Sequence, residues 1–394
     1  VDGDDSERAC IKELFAYRLA ASSDTARHEW LDIVEARHRL WNGISSEKRE
    51  LIRSFFNTIN LEIVKRARPS SVFNFQSASV GNLFLTGARL FTGSFESAIY
   101  LLGAITGVPN NISVIPAINS NFSHHICAGL TDGSCIVGQN AISHPSAPTT
   151  IPSSSDSSDP ALNGIHRSHS ELLEHDRVED ANLPGSLPTL RKQYIAFEKD
   201  AVEDLPTRIE RIWYINPYGQ EIRPASNPKV LEHIFRAQSI IYSIGSLYTS
   251  IIPCLILDGV GDAIASTAVQ FKILMLNGSL DRETGPSCDP FDARDFVAAI
   301  ADACAYSRGS QKRCEEHDWK QYVTHVVHLE GEGTPKVDKD RLKRLGIETI
   351  RIYGRRNATG CMIYDAKALT QTLEATMVRR DTRVEHSRRN TLQG

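Results

Sequence analysis

The sequence has no long apolar run: stretches such as Ile251 to Leu257 and Val114 to Ile118 fall far short of the roughly 20 residues a membrane helix needs. It has no excess of either charge. Forty-four Lys and Arg stand against 48 Asp and Glu, a net charge of -4, so the global basic field that would select nucleic acid or an anionic membrane is missing. The eight cysteines include no CxxC pair and are scattered through a long chain, which argues against a disulfide scaffold and for free thiols in the reducing cytoplasm. The N-terminus lacks the charged, apolar and cleavage-site regions of a secretory signal. Walker A, HExxH, GxSxG and kinase signatures are also missing. Gly259-Val260-Gly261 opens like a dinucleotide fingerprint, but Ile264 stands where its third glycine belongs.

What is present is a globular chain of 394 residues, 41% hydrophobic and 23% charged, with a mean hydropathy of -0.27. Helical spacing of apolar residues over Ser6 to Leu19, Trp30 to Ala36, Glu47 to Phe56, Leu61 to Ala67, Gly81 to Leu90 and Phe95 to Ile105 predicts a helical opening. Ile112 to Ile118 then reads as a strand. His124 to Leu130 and Ser134 to Gln139 flank Thr131-Asp132-Gly133, a hairpin signal because Asp-Gly accepts the positive φ of a tight turn. From Pro145 to Pro160 twelve of sixteen residues are Ser, Thr or Pro, too few apolar groups to offset the entropy of ordering, so 145–185 is expected to be a disordered insertion.

Beyond it, predicted strands Arg208 to Ile215, Ser239 to Ile244, Phe271 to Leu276, Tyr322 to Leu329 and Ile347 to Tyr353 alternate with helices Pro228 to Ala237, Asp292 to Tyr306 and Asp365 to Met377. This alternation predicts an α/β fold, a mainly parallel sheet covered on both faces. Residues 1–144 and 186–377 are then read as two parts of one α/β domain, and 378–394, with five arginines, as a basic tail.

In such a sheet, ligands bind beyond the carboxyl ends of the strands, where helix N-termini offer N–H groups to anions. Gly245-Ser246-Leu247-Tyr248-Thr249-Ser250 suits a phosphate: a buried strand, a glycine, hydroxyls and an apolar helix in order. The bland alternative is a turn with a helix cap. Asn277 to Gly285 is a second loop of this kind, with the alternative of a solvated loop whose Asp292 caps the next helix. Ser79-Val80-Gly81-Asn82 precedes an apolar helix, where Asn82 either caps or meets a ligand. Asn119 lies in a polar cluster with Ser120, Asn121, His124 and His125. The adjacent histidines point to opposite faces of a regular strand, which argues against a shared metal.

Five blocks, Gly81 to Leu90 (GNLFLTGARL), Glu96 to Asn119, Asp132 to Gln139 (DGSCIVGQ), Ile240 to Ile256 (IIYSIGSLYTSIIPCLI) and Asn277 to Gly285 (NGSLDRETG), resemble the 2-phospho-L-lactate transferase (CofD) family. The likeness is strongest to its YvcK branch, the gluconeogenesis factors. The resemblance implies a three-layer Rossmann-like fold that binds a GDP- or UDP-linked small molecule. It places Gly81 and Asn82 in the cleft, Gly245 to Ser250 by the phosphates or sugar, and Asn277, Glu283 and Thr284 on the rim; Asn119 is a further ligand-binding candidate. It also implies Mg²⁺, yet the Gly-rich first loop and metal Asp of the family have no match here, so Val1 is expected to lie downstream of them and no metal ligand is assigned. Ser243-Ile244 replaces the family's Gly-Pro, and the insertion has no counterpart.

Three functions follow from the resemblance: transfer of a phospholactate-type group from a nucleotide-linked donor, non-enzymatic UDP-sugar binding by a regulator, or an inactive truncated product. The expected partner is the small molecule, with neither nucleic acid nor membrane, and self-association into a homo-oligomer remains compatible.

Overall fold

The computed structural model describes residues 2–67, 73–120, 122, 124–143, 187, 204–358 and 360–377. The expected insertion over 145–185 and the basic tail over 378–394 lie outside the described residues. Contacts divide the chain into two units, Val1–Ser123 with Ser153–Lys199 and His124–Pro152 with Asp200–Gly394.

The first unit contains five described helices, α1 (Asp2–Ala16), α2 (Ser23–Val34), α3 (Ser46–Arg66), α4 (Val80–Thr92) and α5 (Phe95–Thr106). The central three bury the stripe their spacing predicts: Trp30, Ile33 and Val34 on α2, Ile52, Phe55, Phe56 and Ile59 on α3, Leu83, Phe84 and Ala88 on α4. Phe84 is the hub, with ring centroids 4.8 Å from Phe15, 5.2 Å from Phe55 and 6.2 Å from Phe56. Glu7 ties α1 to the start of α3, accepting from the Ser45 N–H and from Lys48 Nζ, both at 2.8 Å. These contacts hold its carboxyl down, to about 2.

Two expectations need correction. Glu47 to Phe56 and Leu61 to Ala67 form one helix, because Asn60 in the polar interval accepts a 3.0 Å bond from Trp30 Nε1 and so belongs to the packed face. Ile112 to Ile118 is not a strand: Ile112 and Val114 are exposed, and the run pairs with no strand among the described residues. Local β preference needs a ladder partner to become a strand.

The second unit holds two sheets and a hairpin. The antiparallel sheet has the order β2-β1-β3-β4, from β1 (His125–Leu130), β2 (Cys135–Val137), β3 (Ile209–Ile215) and β4 (Glu221–Ile222). The Asp132-Gly133 turn joins β1 to β2, with Gly133 at φ +84°. The parallel sheet runs β5-β6-β7-β8, from β5 (Ser239–Tyr242), β6 (Phe271–Met275), β7 (His325–His328) and β8 (Glu348–Arg351). Tyr242, Leu274, Val326 and Thr349 share one row across it. Strands β9 (Gly354–Arg356) and β10 (Met362–Tyr364) pair antiparallel.

Short helices α6 (Gln139–Ser143), α7 (Pro228–Arg236), α8 (Ile252–Leu255) and α9 (Val260–Ala265) precede the long α10 (Ala293–Ser307), which α11 (Lys339–Arg344) and α12, over 366–377, follow. Asp292 caps α10 as expected, accepting from the N–H groups of Arg294 and Asp295 at 2.7 and 3.2 Å. Every residue of β6 is buried, as a strand covered on both faces requires. On one face Ile273, Met275 and Val327 meet Leu369 and Leu373 of α12. On the other, Cys304 of α10 interacts with Lys272 and Tyr242. This is the expected layered α/β fold with a parallel sheet. All eight cysteines are free thiols, and Cys127 and Cys304 are fully buried, which pushes both thiols well up. No helix of the described residues is long and apolar enough to cross a membrane.

Candidate functional site

Strand β5 delivers the chain at Tyr242 into an exposed loop and then a π-helical turn, Leu247–Ile251, that leads into α8. The Ser246 carbonyl closes the turn by accepting from Ser250 N and Ile251 N at 3.0 and 3.2 Å. The antiparallel sheet grips this segment: Tyr248 Oη donates to the Ile209 carbonyl at 3.3 Å, and Tyr214 Oη to the Pro253 carbonyl at 3.1 Å. Ser246 supplies no side-chain cap.

A carboxylate from beyond the next strand supplies it. After β6, Asp281 caps the short turn Arg282–Thr284, accepting from Glu283 N at 3.1 Å, while Thr284 Oγ1 accepts from Asp281 N at 2.9 Å. The turn directs Glu283 inward, where it is 1% exposed. Its Oε2 accepts from the N–H groups of Tyr248 and Thr249, both at 2.9 Å. Its Oε1 accepts from Thr249 Oγ1 at 2.5 Å and from Ser143 Oγ at 2.9 Å. Burial pushes the Glu283 carboxyl up, and the Thr249 and Ser143 hydroxyls pull it back. Burial also raises Asp281.

The second unit therefore brings together Tyr248, Thr249, Glu283 and Thr284, with their polar atoms directed at internal partners. Gly245 and Ser250 remain exposed, and Ser246 and Asn277 half-buried. Among the described residues, the N–H groups of Gly245, Ser246 and Leu247, and those of Asn277, Gly278 and Ser279, have no acceptor. Gly278 is sterically required: a Cβ there would lie 1.7 Å from the Met362 carbonyl oxygen of β10. In the first unit, Ser79 rather than Asn82 caps α4, accepting from Asn82 N at 3.3 Å. The Asn82 side chain is exposed, as is Asn119, and Gly81 packs against the Phe15 carbonyl.

Sequence reasoning missed Ser143, for which no local signal exists, since its partner stands 140 positions away. For the Mg²⁺ implied by the resemblance, the described residues offer no cluster of ligands: no group of three His, Cys, Asp or Glu among them is placed to hold an ion, and both Glu283 oxygens already accept hydrogen bonds.

The family model for 2-phospho-L-lactate transferase CofD matches residues 3–353. The chain is 36% identical over 359 residues to the uncharacterized protein YNL011C of Saccharomyces cerevisiae, spanning 87% of this chain and 79% of that protein. A UPF0052-family protein from Bacillus halodurans has a similar fold, at 17% identity and a TM-score of 0.50, over 93% of this chain and 96% of that one.

Proposed function

Because the chain belongs to the 2-phospho-L-lactate transferase CofD family, we propose that it has a phospholactate-transferase-like function, binding a nucleotide-diphosphate-linked small molecule beyond the carboxyl ends of β5 and β6. The observation that carries this reading is the pair of loops whose N–H groups lack an acceptor, Gly245 to Leu247 and Asn277 to Ser279, leaving adjacent parallel strands. Such clustered N–H groups bind phosphate oxygens without a side-chain charge. Ser246, Ser250 and Asn277 add neutral donors and acceptors at the same edge. Catalysis by these parts would rest on positioning the donor and its acceptor hydroxyl.

A second reading, a UDP-sugar-binding regulator, is favoured by the inward direction of Glu283 and by Asp281's role as a cap, which leave these two carboxylates engaged within the protein. Calorimetric titration with GDP and with a UDP-sugar, followed by an assay of phospholactate transfer to a deazaflavin hydroxyl, tests both. Micromolar binding with transfer supports the first reading, and binding of the UDP-sugar without transfer supports the second. Binding of neither ligand overturns both.

A further inference from the structure

We propose that Glu283 is a positioning residue: its buried carboxylate latches the turn after β5 and so fixes the frame that holds the acceptor-free N–H groups of Gly245 to Leu247. The inference deepens the function proposed above and rests on it for the ligand, while the latch itself rests on geometry alone.

The first N–H groups of any helical turn lack an acceptor within the turn. Here Ser246 does not cap, and the N–H groups of Tyr248 and Thr249 instead converge on a carboxylate 35 and 34 positions away. Those two donors are consequently taken by the protein itself. A ligand anion is left with the three amides that precede them, whose orientation depends on where the turn is held. Ser143 adds a third segment to the latch, its hydroxyl donating to Glu283 Oε1 and lying 3.2 Å from Thr249 Oγ1. Four donors on one carboxylate offset part of what burial costs its charge, and burial still leaves the carboxyl raised.

A carboxylate is the side chain this arrangement requires. Glutamine has one acceptor oxygen, and its NH₂ would face donors on the other side. Glu283→Gln therefore keeps the size and breaks the latch.

The test is amide hydrogen exchange on the full chain, read at Tyr248 and Thr249, combined with GDP titration. We expect Glu283→Gln to speed exchange at both amides at least tenfold, to leave Val297 and Ile300 of α10 within twofold, and to weaken GDP binding at least tenfold. Ser143→Ala should shift the same two amides about threefold. If Glu283→Gln does not fold, Thr249→Val replaces it, with a rise of at least threefold expected at the Thr249 amide. Unchanged exchange in the folded variant overturns the latch, as does a rise shared equally by α10, which would mark general destabilisation. Retained GDP affinity with a loosened turn overturns the positioning role. A wild-type chain that binds neither GDP nor a UDP-sugar, while the exchange response is as expected, overturns the ligand reading and upholds the latch.

Discussion

The helical unit and the sheet unit fill their interiors differently. Among the described residues, all ten buried polar or charged side chains, from Ser226 to His328, belong to the second unit. The first unit's interior is aromatic and aliphatic, with Trp30, Trp41, Phe55, Phe56 and Phe84 at its centre. Burying a polar group costs free energy unless it is hydrogen-bonded; Glu283 and Lys272 are so bonded, while His328 buries an Nε2 without a partner. Departures from the simplest packing concentrate at functional places. The contrast agrees with the proposal that the ligand binds in the second unit.

The contrast can be broken or sharpened by substitution. The largest effect is expected from Phe84→Ala, which removes the aromatic hub and should cost about 3–5 kcal/mol. Urea unfolding followed by amide exchange should show α2 to α4 opening early while β6 and α10 stay protected; simultaneous loss of both units would show that they share one transition. Gly278→Ala comes next, at about 1–3 kcal/mol, because the Met362 carbonyl must move to admit a methyl group. It should also weaken GDP binding, and unchanged affinity would detach the second loop from the site.

Glu7→Gln should cost about 1 kcal/mol near neutral pH, the upper range for a partly exposed ion pair. A carboxyl held at about 2 in the folded chain, against an ordinary 4.5, adds stability that is complete above pH 4.5 and lost as pH falls toward 2. Melting curves of wild type and variant should therefore converge in acid. The smallest effect separates two neighbours: Ser79→Ala should cost about 1 kcal/mol as the loss of a cap, while Asn82→Ala, on an exposed side chain, should stay within about 0.5 kcal/mol. A GDP affinity lowered by Asn82→Ala would show that this amide takes part in binding.

Periodicity made most elements legible. The stripe on α4, the hairpin at Asp132-Gly133, the four parallel strands and the Asp292 cap all depend on residues close in sequence, where spacing carries the information. What could not be read depends on distant partners. Ile112 to Ile118 has the composition of a strand but pairs with no strand among the described residues, and the β9–β10 hairpin is too short to stand out. The site shows the same division: the glycine and hydroxyls of Gly245 to Ser250 mark a turn that can face an anion, but that Glu283 takes two of its N–H groups becomes evident only in three dimensions. Thr284, read as a rim residue, closes the Asp281 cap instead of presenting its hydroxyl outward.

The two fully buried thiols carry a consequence for how the second unit moves. Only a thiolate reacts quickly with an alkylating reagent, and Cys127 in β1 and Cys304 in α10 are both sequestered and held protonated. Each can be labelled only in the moments when its own layer opens. Cys288 is exposed, needs no opening to meet the reagent, and so sets the reference against which the two are timed. The native chain thus contains two stopwatches, one for the antiparallel sheet and one for the helix over the parallel sheet, and the ratio of their rates tells whether the two layers open together or in turn.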